Sequence, residues 1–520
     1  MPFGLRIPGP LMLVFGICLG LLYARLSSNS HSGQEVWRGG RVPSFQSGTG
    51  HTSSSARLPV AFPTLKQRKR VLDLISSLTQ HYTKECTRTA QHLYVQQARD
   101  RYAPLVGHNM SPRSSWLGAL GLDSSDHDER HNIKRSLNPD NHKYFFAINL
   151  YNSFDIIPDL LATLFRVGAI LGYQNVFVSI YENGSSDQTP ALLKVFDALM
   201  HSVGMRVVIR SSNRKRGVHA HRIEYLAEVR NSAMTPLIEL RDSENEYFDS
   251  IVFMNDILPC VDDVLELIWQ SRKQNAGVTC AADYMYHDEI RQPVFYDNWV
   301  ARDINGTALE NTPFEDVFHH PQSAYRYNHH LPVQVQSCWN GIAVLDPAPW
   351  YAAPYVRFRM ARTEIQRPAG AGGPTVAVSE CSASECSLLC NDYWSAGYGR
   401  IVMVPRVKLA YDNKVFEIIH PDRRNLTSIR GYTRLGGLPD DPRTDPQDRS
   451  WFGPHDRLFV EEESDELEFE PGPQQVWCWG WNGAGDLDGP DSEPVWEQMP
   501  ESAARLDAVR VRHDRSFKAH

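Results

Sequence analysis

Between residues 143 and 438 the chain alternates short apolar runs with longer stretches of helical periodicity. Tyr144–Leu150 is an apolar run broken only by Asn149, the pattern of a buried strand, and Ile157–Leu171 repeats its apolar residues at 3.6 spacing. The alternation continues with strands at Val176–Tyr181, Arg206–Arg210, Ser250–Met254 and Gly277–Ala282. Helices are predicted between them at Pro190–Val203, Arg222–Met234 and Val261–Gln274. Strands and helices in this order predict an α/β domain with a mostly parallel, Rossmann-like sheet. Ligands of such sheets bind beyond the carboxyl ends of the strands, which selects the residues that follow each run.

The flanks read differently. Residues 1–25 hold a stretch from Ile7 to Ala24 without a charge, bracketed by Arg6 and Arg25. Its length suits a signal-anchor transmembrane helix, with a cleaved signal peptide as the competing reading. Arg6 would keep the tip cytoplasmic and place the rest in the lumen, as a single-pass type II protein. Residues 26–142 read as a stem and linker with one helical segment near 65–97, and the catalytic domain is expected over 143–438. Residues 439–520 read as an acidic, Pro/Gly-rich tail, in which Trp477, Trp479 and Trp481 alternate as in a short edge strand or docking segment.

Composition adds limits. A net charge of -8 carries no nucleic-acid footprint. Sequons at Asn109, Asn183, Asn305 and Asn425, and eight of nine cysteines beyond the apolar stretch, suit a secretory compartment. Cys381, Cys386 and Cys390 lack a CxxC pair, so one or two disulfides are expected rather than zinc.

Three strand ends carry candidate chemistry. Glu182-Asn183-Gly184-Ser185-Ser186-Asp187 can hold nucleotide hydroxyls, through Glu182 and Asp187, or can be plain turn and cap chemistry. A glycan on Asn183 would obstruct that loop, so this sequon is expected to be unmodified. Arg230 and Asn231 lie on the predicted helix Arg222–Met234, ahead of the central strand, and an arginine fork suits a diphosphate. Asn255-Asp256 closes the strand Ser250–Met254 with oxygen ligands for a hard divalent cation, Asp256 being the metal candidate.

This order resembles the GT-A glycosyltransferase fold, whose nucleotide-binding half ends in an Asp-x-Asp motif. Met254-Asn255-Asp256 departs from that motif by supplying one carboxylate. The runs Phe295–Asp303, Ser337-Cys-Trp-Asn-Gly341 and Ser384–Asp392 are similar to the fungal capsule-associated α-1,3-mannosyltransferases, glycosyltransferase family 69. The resemblance implies a retaining transferase with GDP-mannose as donor, a mannoside or mannan-type acceptor, a divalent cation such as Mn2+, and a Golgi membrane location. It assigns Glu385, Asp392 and Asp283 as catalytic carboxylates, and Trp339 and Asn340 as the floor of the sugar site beside Asn255. His420 is available as a further metal ligand. A glycosyltransferase fold retained as a scaffold, without turnover, is the alternative that the lone carboxylate keeps open. A secreted hydrolase is disfavoured, since it needs no nucleotide loop.

Overall fold

The computed structural model describes residues 70–71, 102–105, 142–212, 222–362, 365–368, 375–378, 380, 384–419, 466–478 and 495–499. The apolar stretch at 7–24, His420, Cys381, Trp479 and Trp481 lie outside the described residues. No helix among the described residues is long and apolar enough to cross a membrane.

The first half is built from β1 (Tyr144–Leu150), α1 (Ile157–Leu171), β2 (Val176–Glu182), α2 (Thr189–Ser202), β3 (Arg206–Ser211), α3 (Arg222–Glu244), β4 (Ser250–Met254) and α4 (Val261–Lys273). The second half contains β5 (Val278–His287), β6 (Gln292–Phe295), β7 (Arg302–Asp303), α5 (Pro321–Asn328), β8 (Val333–Ser337), β9 (Ile342–Leu345) and α6 (Ala348–Tyr351). It continues with β10 (Ile365–Pro368), β11 (Thr375–Val378), α7 (Glu385–Ser395), β12 (Ile401–Ala410) and α8 (Asn413–Ile419). The C-terminal pair is β13 (Gln475–Cys478) and β14 (Val495–Gln498).

The main sheet runs β3-β2-β1-β4-β9-β5-β12-β8-β7. Its first four strands are parallel, whereas β9 is antiparallel to both neighbours. The sheet is therefore mixed, and the expected mostly parallel arrangement is confined to the first half and the β5–β12 pair. β1 shows why its run is continuous: Phe145 and Ala147 enter one core, and Phe146 and Ile148 the other. Helices α1, α2 and α4 pack on the second core, while α3 and α7 pack on the first.

Two elements outrun their sequence signals. α3 continues ten residues beyond Met234, through Pro236, because Pro236 and Leu237 are buried on the sheet. Burial outweighs the backbone hydrogen bond that the proline cannot make. β5 continues past Ala282 through a buried Asp283, whose polar oxygens find partners inside the fold.

The antiparallel β9 places the site. Its register pairs Met254 with Ile342 and Cys280 with Ala343, so the turn before β9 reaches the carboxyl ends of β4 and β5 together. That turn uses Asn340 at φ 51° and Gly341 at φ 85°. Asn tolerates the left-handed region, and a Cβ on Gly341 would press on Ile257 at 3.1 Å and Leu409 at 3.2 Å. A disulfide from Cys280 to Cys338 ties the same turn to β5. Cys386 and Cys390 are buried free thiols.

Candidate active site at the carboxyl ends of β4 and β5

Arg230 is the centre of the site. Its Nε donates to Glu385 Oε1 at 2.7 Å and its Nη1 to Asn255 Oδ1 at 2.9 Å. The guanidinium carbon stands 5.0 Å from the Trp339 ring centroid, 5.3 Å from Phe253 and 5.7 Å from Phe358. Three aromatic faces and a carboxylate thus fix one cation, whose side chain is only 13% exposed. Burial works against its charge; the Cys386 sulfur and the Glu385 carboxylate oppose burial and hold the guanidinium above its ordinary value. Burial also keeps the Cys386 thiol protonated, so Glu385 is the effective counter-ion. Nη2 has no hydrogen-bond partner among the described residues, and is available to an anion.

Asp256 follows on the cleft floor. It is exposed and has no side-chain partner among the described residues. The protein around it nevertheless pushes its carboxyl up to about 6, against its own backbone N–H and the charge of Arg230. A carboxylate open to water yet walled by protein describes the bottom of a concave site, and the openness of the side chain is what matters for a ligand.

Asp283 and Asp297 form a second acidic pair. Asp283 is fully buried and accepts from Asn340 Nδ2 at 2.7 Å, Tyr411 Oη at 2.8 Å and the Asp297 N–H at 3.3 Å. Burial raises its carboxyl despite these donors. Asp297 is half-buried and is pushed up to about 8 by burial and by the charges of Asp283 and Glu385. Since Asp283 has the side-chain donors, the pair places the negative charge on Asp283 and the proton on Asp297.

The remaining sequence candidates have structural partners. Glu182 is 2% exposed and its Oε1 accepts from the Ser185 N–H, shaping the loop from within. Asp187 accepts from Thr189 N at 2.9 Å and Phe154 N at 3.1 Å; these bonds outweigh its slight burial and hold its carboxyl below the usual value. Asn183 Nδ2 donates to the Tyr225 hydroxyl at 3.2 Å. Asn231 exchanges two hydrogen bonds with the Phe358 backbone, at 2.7 and 3.1 Å, which seats Phe358 over Arg230.

Three roles change. Trp339 and Asn340 are fully buried, so neither offers an open floor to a sugar; Trp339 instead packs on Arg230 and Phe253. Asp392 is bound by Arg359 at both oxygens, 2.8 Å each, and Arg359 also holds Glu380. That is an ion-pair assembly on the far turns of α7, away from Arg230. Glu385 and Asp283 are buried and engaged, so neither presents a free carboxylate. Sequence reasoning missed Asp297, Phe358, Arg359 and Glu380. Asp297 sits inside the run Phe295–Asp303, but nothing in its neighbours distinguishes it from a turn aspartate.

A family model described as Cryptococcal mannosyltransferase 1 matches residues 143–392. These residues are similar to that family. The matched residues include Arg230, Asn255, Asp256, Asp297 and Glu385, while Tyr411 and the C-terminal pair lie beyond the match. The chain is 34% identical over 313 residues to an α-1,3-mannosyltransferase of Cryptococcus neoformans, CMT1, covering 57% of this chain. The match spans 63% of that relative, just under two-thirds of its length. Among solved structures, the Pyrobaculum calidifontis mannosyltransferase PcManGT, with GDP-Man and Mn2+, aligns at a TM-score of 0.29 and 11% identity, over 60% of this chain and 67% of that one. Staphylococcus aureus TarS 1-349 aligns at 0.29 and 12%, over 52% and 60%. Likenesses of that size do not bear on fold or chemistry.

Proposed function

We propose that this domain is a GT-A-type retaining α-1,3-mannosyltransferase that moves mannose from GDP-mannose to a mannoside acceptor in the Golgi lumen. The observation that carries the reading is that the family match covers the cleft of Arg230, Asn255 and open Asp256. Arg230 Nη2 and Asp256 address the diphosphate, the first directly and the second through a divalent cation. No cluster of three metal-ligating side chains exists among the described residues. One open carboxylate is still a fitting partner for a Mg2+- or Mn2+-type ion that keeps several waters and shares the phosphates. A single carboxylate beside an arginine binds such an ion weakly alone, so cation and donor are expected to bind together. The bound cation supplies neutralisation of the leaving diphosphate.

The arrangement favours front-face transfer over a covalent intermediate. A double displacement needs a free carboxylate nucleophile. Glu385, Asp283 and Asp392 are all engaged, and Asp297 holds a proton at neutral pH. In a front-face step the C1–O bond to the diphosphate breaks while the acceptor oxygen bonds to C1. The acceptor proton passes to the departing diphosphate. Arg230 stabilises the charge that develops on that side, from a cage that needs little reorganisation.

The lumenal location rests on the apolar stretch at 7–24, the sequons and the Cys280–Cys338 disulfide, which suits an oxidising compartment. The test is transfer by the full-length protein from labelled GDP-mannose to mannobiose with Mn2+, with linkage and anomer read by NMR. An α-1,3 product lost in Asp256→Ala is expected. Donor binding without transfer to any mannoside would favour the scaffold.

A further inference from the structure

We propose that Tyr296 is the platform on which the acceptor glycoside stacks, an inference that rests on the transferase reading. Tyr296 follows β6, and its backbone is pinned on three sides. Its N–H donates to the Asp283 carbonyl at 2.9 Å, and its own carbonyl accepts from Asn298 N and Asn311 Nδ2. Only the side chain is left open, at 43% exposure. The ring meets half-buried Tyr411 in a T-shaped contact, with centroids 5.3 Å apart at 70°.

Its surroundings separate it from exposed Tyr325 and Tyr355. Tyr325 is tilted over the His329 ring, and Tyr355 lies under Arg241 and Arg357. Tyr296 instead is bonded through its N–H to the Asp283 backbone and adjoins Asp297, so it borders the acidic pair of the site; burial and the charges of Asp297 and Asp283 raise its hydroxyl. An exposed aromatic side chain beside this site matches a pyranose, whose C–H face packs on such a ring.

Topology decides which sugar. Arg230, Asn255 and Asp256 come from α3 and the end of β4, in the parallel half of the sheet. Tyr296 comes from β6, which pairs with β5 across the intervening β9. Hydrogen bonds from Tyr296 N to Asp283, from Asn340 to Asp283 and from Asn255 N to the Gly341 carbonyl tie this edge to the end of β4, so Tyr296 stands on the β5 side of the same site, the side assigned here to the accepting sugar. Trp339, the residue with the clearest sequence signal for this task, is sealed under Arg230. Tyr296 is the exposed aromatic that remains on this side.

The test uses the full-length protein with Tyr296→Ala, Tyr296→Leu and Tyr296→Phe. Leu keeps apolar bulk against Tyr411 and removes the aromatic face, so a fold defect in Ala does not decide the result. Ala and Leu are expected to raise the mannobiose KM at least about tenfold while the GDP-mannose Kd moves less than about twofold; Phe stays within about threefold of wild type. Unchanged acceptor KM in Ala and Leu, or a donor Kd that rises in step, would overturn the proposal. Calorimetry of mannobiose binding in the presence of GDP separates the two readings. Tyr296-dependent binding without wild-type transfer contradicts the transferase alone, whereas binding indifferent to Tyr296 contradicts the platform.

Discussion

At the residue scale, the protein concentrates its charge chemistry on a few groups with distinct environments. Arg230 is held charged, Asp256 is open, and Asp283 and Asp297 share a site that disfavours two charges. Asp297 has a direct consequence for stability. Its folded carboxyl is raised from 3.8 to about 8, so the folded state holds a proton that the unfolded state releases. Between those values stability falls as pH rises, and below the lower one the group contributes no difference. Asp297→Asn, which cannot ionise, is expected to raise Tm by a few degrees at pH 8.5 relative to wild type. The gain should shrink towards pH 4, and calorimetric melts of both proteins across that range check it. An equal shift at all pH values would mean that the substitution acts through packing. Asn255, Asp256 and Arg230 were legible because each follows an apolar run at a strand end or precedes one. The roles of Trp339 and Asp392 were not. Burial under a cation and capture by Arg359 depend on contacts with residues distant in sequence.

Among the elements, the apolar runs located β1, β2, β4 and their helices, since strands buried on both faces leave a continuous signal. The position of β9 was illegible. Its four residues carry no mark of being inserted antiparallel between β4 and β5, yet that insertion joins the two halves of the site. The acidic tail also contributes a C-terminal strand pair. Trp477 lies in β13, Trp477 N donates to Gly306 O at 2.8 Å, and Arg302 donates to the Trp477 carbonyl. Val476 and Met499 enter the first core. Arg302 also donates to the carbonyls of Asn298 and Ala301, so β13 braces the segment that carries Asp297. Gly306, at φ 87°, permits this approach: a Cβ there would meet the Gln475 carbonyl oxygen at 2.0 Å. Gly306→Ala is expected to cost about 2 kcal/mol or more and to expose the 466–499 segment to limited proteolysis. Unaltered melting and cleavage would show that β13 does not depend on that contact.

For the whole molecule, residues 143–392, matched by the family model, carry Arg230, Asp256 and the acidic pair, while Tyr411 and β13 reach in from beyond the matched residues. The Cys280–Cys338 disulfide closes 58 residues of sequence around the β9 turn. In a chain-entropy account such a loop is worth on the order of 4 kcal/mol. Cysteine count and spacing predicted disulfides but could not pair them, because pairing follows from the fold. The central claim is that Arg230 and Asp256 form the donor site, with cation and GDP-mannose binding as a unit. Calorimetric titration of GDP-mannose, with and without Mn2+, into the full-length wild type, Arg230→Lys and Asp256→Asn tests it most directly. The account predicts Mn2+-dependent binding in the wild type, weakened on the order of tenfold or more in both variants. Equal donor affinity in all three proteins, with or without Mn2+, would contradict it.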